Sequence, residues 1–508
     1  MTRATLSAIA LLAFSTLPAS AQEPAHGHAM QTEKLGTVHF ATSCSAAVAP
    51  RFDRAVALLH SFEFGASIRG FNDVLASDST CAMAYWGLAL SRWGNPMAAG
   101  NRPAALLQQG GKWAETGARL GARATDRERG YINAVAQLYD DVDHKDQPAR
   151  IAAYSRAMDD LMMRQPADTE AKIFYAISLV AAASPSDKSY ANQLKAGKIL
   201  EDLWTAQPNH PGLAHYIIHT YDYPPLADKA RAAAERYAEI APSAAHALHM
   251  PSHTFTRVGM WKESVEANNQ SMSVALSGGS IAEALHAADY DMYAYLQLGD
   301  YAGAKRILDS LPSLATRFDP NAVTGAAPPL AGYFALAAIP ARWALERGEW
   351  KEAASLQPKT TSYPYAEAMT YFARALGASR TGDFANATVS IDSLTGIQQR
   401  LTQKSESYWA EQVAIQRLGA QAWLALAQGK KDDAVKLMRE AATREDATEK
   451  SAVTPGPLAP AHELLGDMFA QLGRATEADA EYRATLKKEP NRRHSLQRLG
   501  RGAPKATD

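Results

Sequence analysis

The sequence predicts an all-α fold, a right-handed solenoid in which pairs of antiparallel helices follow one another along the chain. From Ala47 onward Ala, Leu, Glu, Arg and Gln dominate, and apolar residues recur three and four positions apart, as on one face of a helix. Glycine turns return along the chain at spacings that include 34 residues, from Gly348 to Gly382. A fixed spacing of this kind indicates repeated helix-turn-helix units.

Length and charge narrow the classes of protein to which the chain can belong. A chain of 508 residues is long for one compact core but ordinary for a repeat array. Hydrophobic residues make up 47% of it, and 52 basic against 53 acidic residues give a formal charge of -1. Because no basic surplus is available to neutralise phosphates, we do not expect a nucleic-acid partner.

Residues 1–21 have the pattern of a cleavable export signal. Arg3 supplies positive charge, an apolar run extends from Ala8 to Leu17, and small residues precede a predicted cleavage site between Ala21 and Gln22. We therefore expect a periplasmic or secreted protein. Later apolar runs are too short to span a bilayer, so the sequence predicts no transmembrane segment.

Composition divides the chain into six segments. Most of it is helical in character, although no repeat register can be assigned between residues 100 and 146. The predicted segments are a signal peptide at 1–21, a flexible lead at 22–36, N-terminal helical repeats at 37–204, central repeats with a histidine cluster at 205–310, C-terminal repeats at 311–491 and a basic tail at 492–508.

The repeat unit is clearest where one helix ends at a glycine turn and the next begins. Glycine permits the turn, an aromatic residue and a small alanine let the two helices pack, and proline stops the second helix. Segments of this kind begin at Gly259, Gly299, Gly348, Gly382 and Gly473. The pattern resembles the tetratricopeptide repeat (TPR) family, which implies a superhelix whose first helices line a concave groove.

Two further blocks, Cys81 to Gly87 and His246 to His253, look like those of a group of exported bacterial TPR proteins of poorly defined function. The resemblance covers most of the mature chain. It supports the fold and implies no reaction.

Histidines are concentrated in the central repeats. His215 and His219 are four apart, as are His249 and His253, and the second pair follows the first by 34 residues. When three repeats are aligned on their turn glycines, the resemblance to TPR proteins implies which positions face the groove. These positions hold His215, His219, His246, His249, His253, His286, Asp289 and Tyr293, besides Gly212.

This arrangement is compatible with a metal site. Side chains four apart on a helix lie about 6 Å apart, and packed helices run about 8–10 Å apart, so imidazoles from two helices can share an ion. Imidazole suits zinc, copper and iron. The predicted ligands are His215, His219, His249, His253 and Asp289, the last as a ligand or as a partner that orients a ring. Three ligands with an open position would indicate a catalytic site and four a structural one.

Two other interpretations stay open. The histidines could bind a polar ligand or a peptide without metal, or they could be structural and bonded to carbonyls or tyrosines. Pro251, between His249 and His253, would interrupt a single helix there. The residues expected to line the groove are His246, His286, Tyr293, His60, Glu63 and Arg257, the last as a candidate for holding an anion or as part of a surface salt bridge.

Cys44 and Cys81 are the only cysteines. In an oxidising compartment they predict a disulfide that ties the N-terminal helix to the start of a later one. The alternative is a pair of buried free thiols.

The expected function is recognition of a protein partner or small ligand through the groove, with the histidine cluster, metal-loaded or not, as its centre. The alternative is an enzyme, a metal-dependent hydrolase or oxidase that uses the cluster. A third hypothesis is an assembly scaffold. No standard catalytic motif is present in the sequence. The nearest approach is His462-Glu463, which lacks the second histidine of a zinc-protease helix.

Overall fold

A computed structural model describes Met1 and residues 33–98 and 100–500. The predicted signal peptide beyond Met1, its cleavage site, most of the flexible lead and residues 501–508 lie outside the described part of the chain. Among the described residues, regular structure consists of twenty-four α-helices and two short 3-10 helices, with no strand. None of these helices combines the length and apolarity needed to cross a bilayer. The predicted all-α helical-repeat fold is confirmed.

The helices follow one another in three groups. The N-terminal helices are α1 Ala49–His60, α2 Phe64–Ser77, α3 Ala82–Trp93, α4 Ala104–Gly121, α5 Asp126–Gln137, α6 Gln147–Arg164, α7 Thr169–Ala181 and α8 Ala191–Ala206. The central helices are α9 Pro211–Thr220, α10 Arg231–Ile240, α11 Ala245–His249, α12 Pro251–Val258, α13 Trp261–Ser277, α14 Ile281–Leu298 and α15 Tyr301–Arg317. The C-terminal helices are α16 Pro329–Glu346, α17 Trp350–Ser355, α18 Pro364–Thr381, α19 Phe384–Gln403, α20 Ser407–Ala427, α21 Lys431–Ala447, α22 Ala461–Gln471, α23 Ala475–Lys488 and α24 Arg493–Arg498. The 3-10 helices are Ala46–Val48 and Ala227–Ala230.

The turns between paired helices depend on glycine. Left-handed backbone with φ between 67° and 81° occurs at Gly259, Gly299, Gly348, Gly382, Gly429 and Gly473. Side chains other than glycine rarely adopt this conformation, so the turn residue is dictated by the backbone. After the turn, the predicted alanines Ala304, Ala353 and Ala387 are fully buried, which brings the second helix of each pair against its neighbour.

The central histidine region contains a helix break at Pro251. Helix α11 ends at His249 and α12 begins at Pro251, with Met250 between them in helical conformation at φ -54° and ψ -35°. Proline has no N–H to donate to the preceding turn, so the two short helices replace one long helix. As the sequence indicates, His246 and His249 lie on the turn before Pro251, and His253 lies after it.

Residues 448–460, which we call the covering segment, connect α21 to α22 and pack against α14 and α16. The hydroxyl of Tyr290 lies 3.1 Å from the carbonyl oxygens of Ala452 and Thr454. Arg342, fully buried, donates to Thr454 Oγ1 and to the carbonyl oxygen of Gly456, each at 2.8 Å. These contacts join helices that are distant in sequence to a loop near the end of the chain.

The predicted basic tail begins with a residue that is not at the surface. Arg492 is 1% exposed and pairs with Glu346 at 2.7 Å and with Glu463 at 2.9 Å. Arg492 is therefore a buried part of the fold, because acidic partners on α16 and α22 neutralise its charge.

Cys44 and Cys81 are joined by a disulfide, with their Cα atoms 5.0 Å apart. Cys81 is the residue immediately before α3, and Cys44 lies just before the first 3-10 helix. The bond therefore attaches the start of the described chain to the third helix.

The two turns at Gly259 and Gly473 provide a matched test of the packing around the chain end. A Cβ atom at Gly259 would lie 2.4 Å from the carbonyl oxygen of Pro490, whereas one at Gly473 meets nothing within 4 Å. Both Gly→Ala changes should cost about 1–2 kcal/mol for the left-handed backbone. We expect Gly259→Ala to cost roughly 1–3 kcal/mol more, because the loop at Pro490 must move.

Thermal unfolding followed by circular dichroism measures both variants under the same conditions. Equal losses of Tm in Gly259→Ala and Gly473→Ala would contradict the close packing of Pro490 on the Gly259 turn.

Candidate metal centre

Six histidines from four helices of the central repeats converge inside the protein. Helix α9 supplies two of them one turn apart, α11 supplies two, and α12 and α14 supply one each. All six are between 0% and 6% exposed. They form two groups, a first triad of His215, His219 and His246 and a second triad of His249, His253 and His286.

Within each triad, one nitrogen from each ring lies within 4.8 Å of the others. The sequence alignment predicts that histidines at the same position of successive repeats lie side by side. Each triad instead combines histidines from different positions of two neighbouring repeats. His246 joins the pair on the preceding helix, with its ring centroid 5.0 Å from that of His215. His286 likewise lies 4.4 Å from His249. Neighbouring helices are offset along their axes, so the start of one helix faces the middle of the helix before it.

Hydrogen bonds fix the tautomers of two rings in the first triad. His215 Nδ1 lies 2.6 Å from the carbonyl oxygen of His60, which can only accept, so this nitrogen carries the proton. His246 Nδ1 donates in the same way to the Glu283 carboxylate at 2.9 Å. In the neutral form of a ring bonded in this way, the Nε2 lone pair is left for another partner.

The second triad has the same construction. His249 Nδ1 donates to Asn268 Oδ1 at 2.6 Å, and the amide orientation is set because Asn268 Nδ2 donates to the carbonyl oxygen of Ser264. His253 Nδ1 donates to Asp222 at 2.9 Å. The Nε2 atoms of His249 and His253 then face each other at 3.1 Å. Two lone pairs at this distance repel each other unless a cation or proton lies between them.

The Nε2 atoms of the first triad are buried without a hydrogen-bond partner, and this is true of His215, His219 and His246 alike. A buried acceptor without a partner costs roughly 1–3 kcal/mol, so three in one place are expensive for a purely structural cluster. Lone pairs that converge in this way suit a bound cation.

Burial keeps these rings neutral. It lowers the pKa of His215, His219 and His249 well below the ordinary value for histidine. Burial also lowers the pKa of His253 to about 4 and that of His286 to about 3, against the opposing effect of nearby carboxylates. Neutral imidazole is the form that coordinates metals, so these five rings are in the ligand state at neutral pH.

Two carboxylates behind the rings stay ionised. Burial alone would raise the pKa of Asp222, but the ion pairs with Lys450 at 3.0 Å and Arg257 at 2.8 Å hold it well below its ordinary value. Burial opposes ionisation of Glu283 as well, but contact with His246 lowers its pKa. Each triad thus has one ring whose Nδ1 binds an ionised carboxylate, an arrangement typical of metal-ligating histidine.

A third group differs in its bonding. Glu170 lies between His60 and His210, at 2.9 Å from the Nε2 atom of each. The carboxylate oxygens accept the imidazole protons, so no pair of free lone pairs converges there. His60, predicted to line the groove, is instead fully buried in this hydrogen-bonded group.

The other predicted site residues lie around the triads. Asp289, predicted as a ligand, has both carboxylate oxygens bound to Arg342 at 2.8 and 3.3 Å. This placement corrects the assignment, because a buried guanidinium already neutralises the carboxylate. The hydroxyl of Tyr293 donates to Glu489 at 2.5 Å and not to a histidine. Arg257, predicted to hold an anion, pairs with Asp222.

Glu63 remains close to the cluster, where its Oε1 lies 3.3 Å from the backbone nitrogen of His246. Burial and the neighbouring Glu283 raise the pKa of Glu63 to about 7.

Sequence reasoning missed Asp222, Glu283, Asn268 and Lys450. A weak signal existed for Glu283, which precedes His286 by three residues on α14. Residues at this spacing share a face of a helix. No local signal pointed to Lys450, which comes from the distant covering segment.

Two cavities adjoin the triads beneath the covering segment. One of about 20 Å³ is lined by His246 and His286, one ring from each triad, together with Ser451, Ala452 and Val453. It has room for about one water-sized molecule. A larger cavity of about 540 Å³ is lined by His219, Asp222 and Lys450 and by residues of the N-terminal helices.

No family model and no curated protein matches the chain. Among solved structures it is similar to yeast Tom70, at 13% identity over 89% of this chain and 94% of that one, with a TM-score of 0.39. It is also similar to a monomeric IFIT1 mutant with Gppp-AAAA, at 10% identity over 79% of this chain and 89% of that one, with a TM-score of 0.35. The fold assignment rests on the helices described above.

The lowered histidine pKa values predict acid sensitivity of the metal-free protein. A histidine whose folded pKa lies below 6.5 adds stability above pH 6.5, and this stability is lost as the pH falls towards the folded value. With a folded pKa of about 3, His286 should lose roughly 2 kcal/mol of its contribution between pH 7.5 and 5. We therefore expect the stability of His286→Gln, treated with chelator, to fall less over this range than that of the parent protein.

His462 is the matched control, because hydrogen bonds to Glu481 raise its pKa to about 9. Its contribution is complete below pH 6.5 and is lost as the pH rises towards 9. Urea unfolding gives the free energy of unfolding at pH 7.5 and at pH 5. Relative to the parent protein, His286→Gln should lower the difference between these two values, and His462→Gln should raise it. Parallel changes would contradict the assignment of neutral, buried rings.

Proposed function

We propose that the protein binds a divalent transition metal at the six-histidine cluster and recognises a small ligand or part of a partner in the adjoining cavity of about 540 Å³. The observation that carries this proposal is the direction of the rings. The Nδ1 atoms of His215, His246, His249 and His253 are held by protein acceptors, and the Nε2 atoms converge without protein donors.

The same bonding argues against purely structural histidines. In the group around Glu170, the Nε2 atoms of both histidines find a carboxylate at hydrogen-bond distance, as expected of a structural cluster. In the triads, the Nε2 atoms of His215, His219 and His246 have no hydrogen-bond partner, and those of His249 and His253 face only each other. The covering segment also lies over the cluster, which leaves space there for a small species but not for a folded protein.

The donor set narrows the metal to zinc, copper or iron. Each triad offers imidazole nitrogens alone, whereas magnesium, calcium and manganese prefer oxygen ligands. Asp222 and Glu283 would balance part of the charge of a bound cation from behind the rings. The residues that would hold the metal are therefore all six histidines, with Asp289 excluded by its pairing with Arg342.

Export to the periplasm or outside the cell belongs to this proposal. The signal-like pattern of residues 1–21 supports it, and so does the disulfide between Cys44 and Cys81, which suits an oxidising compartment. A partner or small ligand is favoured over nucleic acid because the formal charge is only -1.

A metal-dependent hydrolase or oxidase is the second candidate function. The small cavity between His246 and His286 favours it, because three protein ligands beside a space for one more are typical of catalytic sites. Turnover of ester and phenol substrates by metal-loaded protein, lost in the ligand variants described next, would distinguish this candidate from binding alone.

Metal binding is tested with the full exported chain, expressed without a tag and reconstituted with zinc or copper. We expect at least one equivalent of metal by elemental analysis after gel filtration. Ligand at about 1,000 times its dissociation constant stabilises the folded state by roughly 4 kcal/mol, so Tm should rise by several degrees. The double variant His215→Gln/His249→Gln removes one ligand from each triad and should lose both effects.

His210→Gln is the control, since it removes an equally buried ring from the group around Glu170 and should retain the metal. Less than about a tenth of an equivalent in the parent protein would exclude the metal. Retention of metal by the double variant would show that the metal binds somewhere other than the two triads.

A further inference from the structure

We infer that the cluster is a two-ion centre, in which each triad holds one copper ion and a single oxygen ligand, water or hydroxide, bridges the pair. This inference rests on the proposed metal binding and adds the number of ions, their chemical identity and the position of the exogenous ligand.

The two triads are built alike. Each contains two histidines four apart in sequence, His215 with His219 and His249 with His253. The third histidine comes from a later helix, α11 for the first triad and α14 for the second. In each triad one Nδ1 binds a neutral oxygen, from the His60 carbonyl or the Asn268 amide. Equivalent sets of ligands should bind equivalent ions, so one ion for the whole cluster would leave three well-oriented rings unused.

The hydrogen bonds to carboxylates are also divided equally. Glu283 holds His246 of the first triad, and Asp222 holds His253 of the second. One carboxylate therefore lies behind each set of imidazole ligands, where it can offset part of the charge of one cation. A single-ion site has no need of two such supports.

The triads are close enough to share a bridging ligand. Helix α11 contributes His246 to one and His249 to the other, and their ring centroids are 5.8 Å apart. Those of His219 and His253, again from different triads, are 5.9 Å apart. The cavity of about 20 Å³ is lined by His246 and His286, so its occupant contacts a ring of each triad. Its size suits one water or hydroxide.

The ligand type favours copper. Copper(II) forms the most stable complexes of the divalent series with a given set of nitrogen ligands. Non-haem iron sites commonly include a carboxylate ligand, and although zinc also binds three histidines, copper(II) binds the same nitrogen ligands more tightly. Each triad offers three neutral imidazoles and no carboxylate or thiolate.

The test is reconstitution of the full chain with copper(II), with His26 and His28 changed to Gln in every sample so that the lead supplies no ligand. Elemental analysis counts the copper, and electron paramagnetic resonance counts unpaired spins. Two cupric ions joined through one oxygen couple antiferromagnetically, so their spins cancel. We expect about two copper ions per chain and a spin signal of about a tenth of the copper or less.

Single-triad variants separate the two ions. His246→Gln should leave about one copper ion, held by the second triad, and the spin signal per copper ion should rise roughly tenfold because the remaining ion has no partner. His286→Gln should do the same with the other triad. If His246→Gln does not fold, as judged by circular dichroism, His219→Gln is the substitute, because its Nε2 has no hydrogen bond to lose. His210→Gln should match the parent protein in both measurements.

Each of the other possible results contradicts a different part of the inference. One copper ion per chain with a full signal overturns the two-ion centre and leaves metal binding intact. Two copper ions with two full spins overturn the bridge. Displacement of the copper by equimolar zinc overturns its identity, and absence of any bound metal overturns the proposed function itself.

Discussion

The hydrogen bonds to the Nδ1 atoms of the histidines are the constraint on which the centre depends. An imidazole ring is nearly symmetric, so without these bonds either nitrogen could carry the proton and the ring could turn. Carbonyl, amide and carboxylate oxygens accept one N–H hydrogen bond from each of four rings, and the remaining lone pairs are aimed inward. Because the acceptors lie on several elements, the direction of the rings depends on the packing of the entire central region.

Burial and charge work together around Asp222. An ionised carboxylate in the interior is costly unless it is paired and hydrogen-bonded. Here Arg257, Lys450 and His253 all contact it, and one of the three comes from residues 448–460. The orientation of a ring on α12 thus depends on an ammonium group contributed by a loop some two hundred residues later.

The fold and the location of the cluster could be predicted from sequence because both depend on local spacing. The turn glycines and the four-residue offsets of the histidines are properties of short segments, and helical geometry converts them directly into shared faces. The partition into triads could not be predicted, because it depends on the offset between neighbouring helices. The role assigned to Asp289 failed for a related reason. Its position on the helix was suitable, but Arg342, 53 residues away, takes both oxygens.

Residues 448–460 also have a kinetic consequence. A groove open to solvent would let ions arrive and leave at rates set by diffusion. Here Lys450, Ala452 and Thr454 are tied to Asp222 and Tyr290 over the histidines. A bound ion could leave past this loop only when the loop detaches, so its exchange would depend in part on how often the loop opens. An ion enclosed in this way would persist through dilution far longer than its affinity alone suggests.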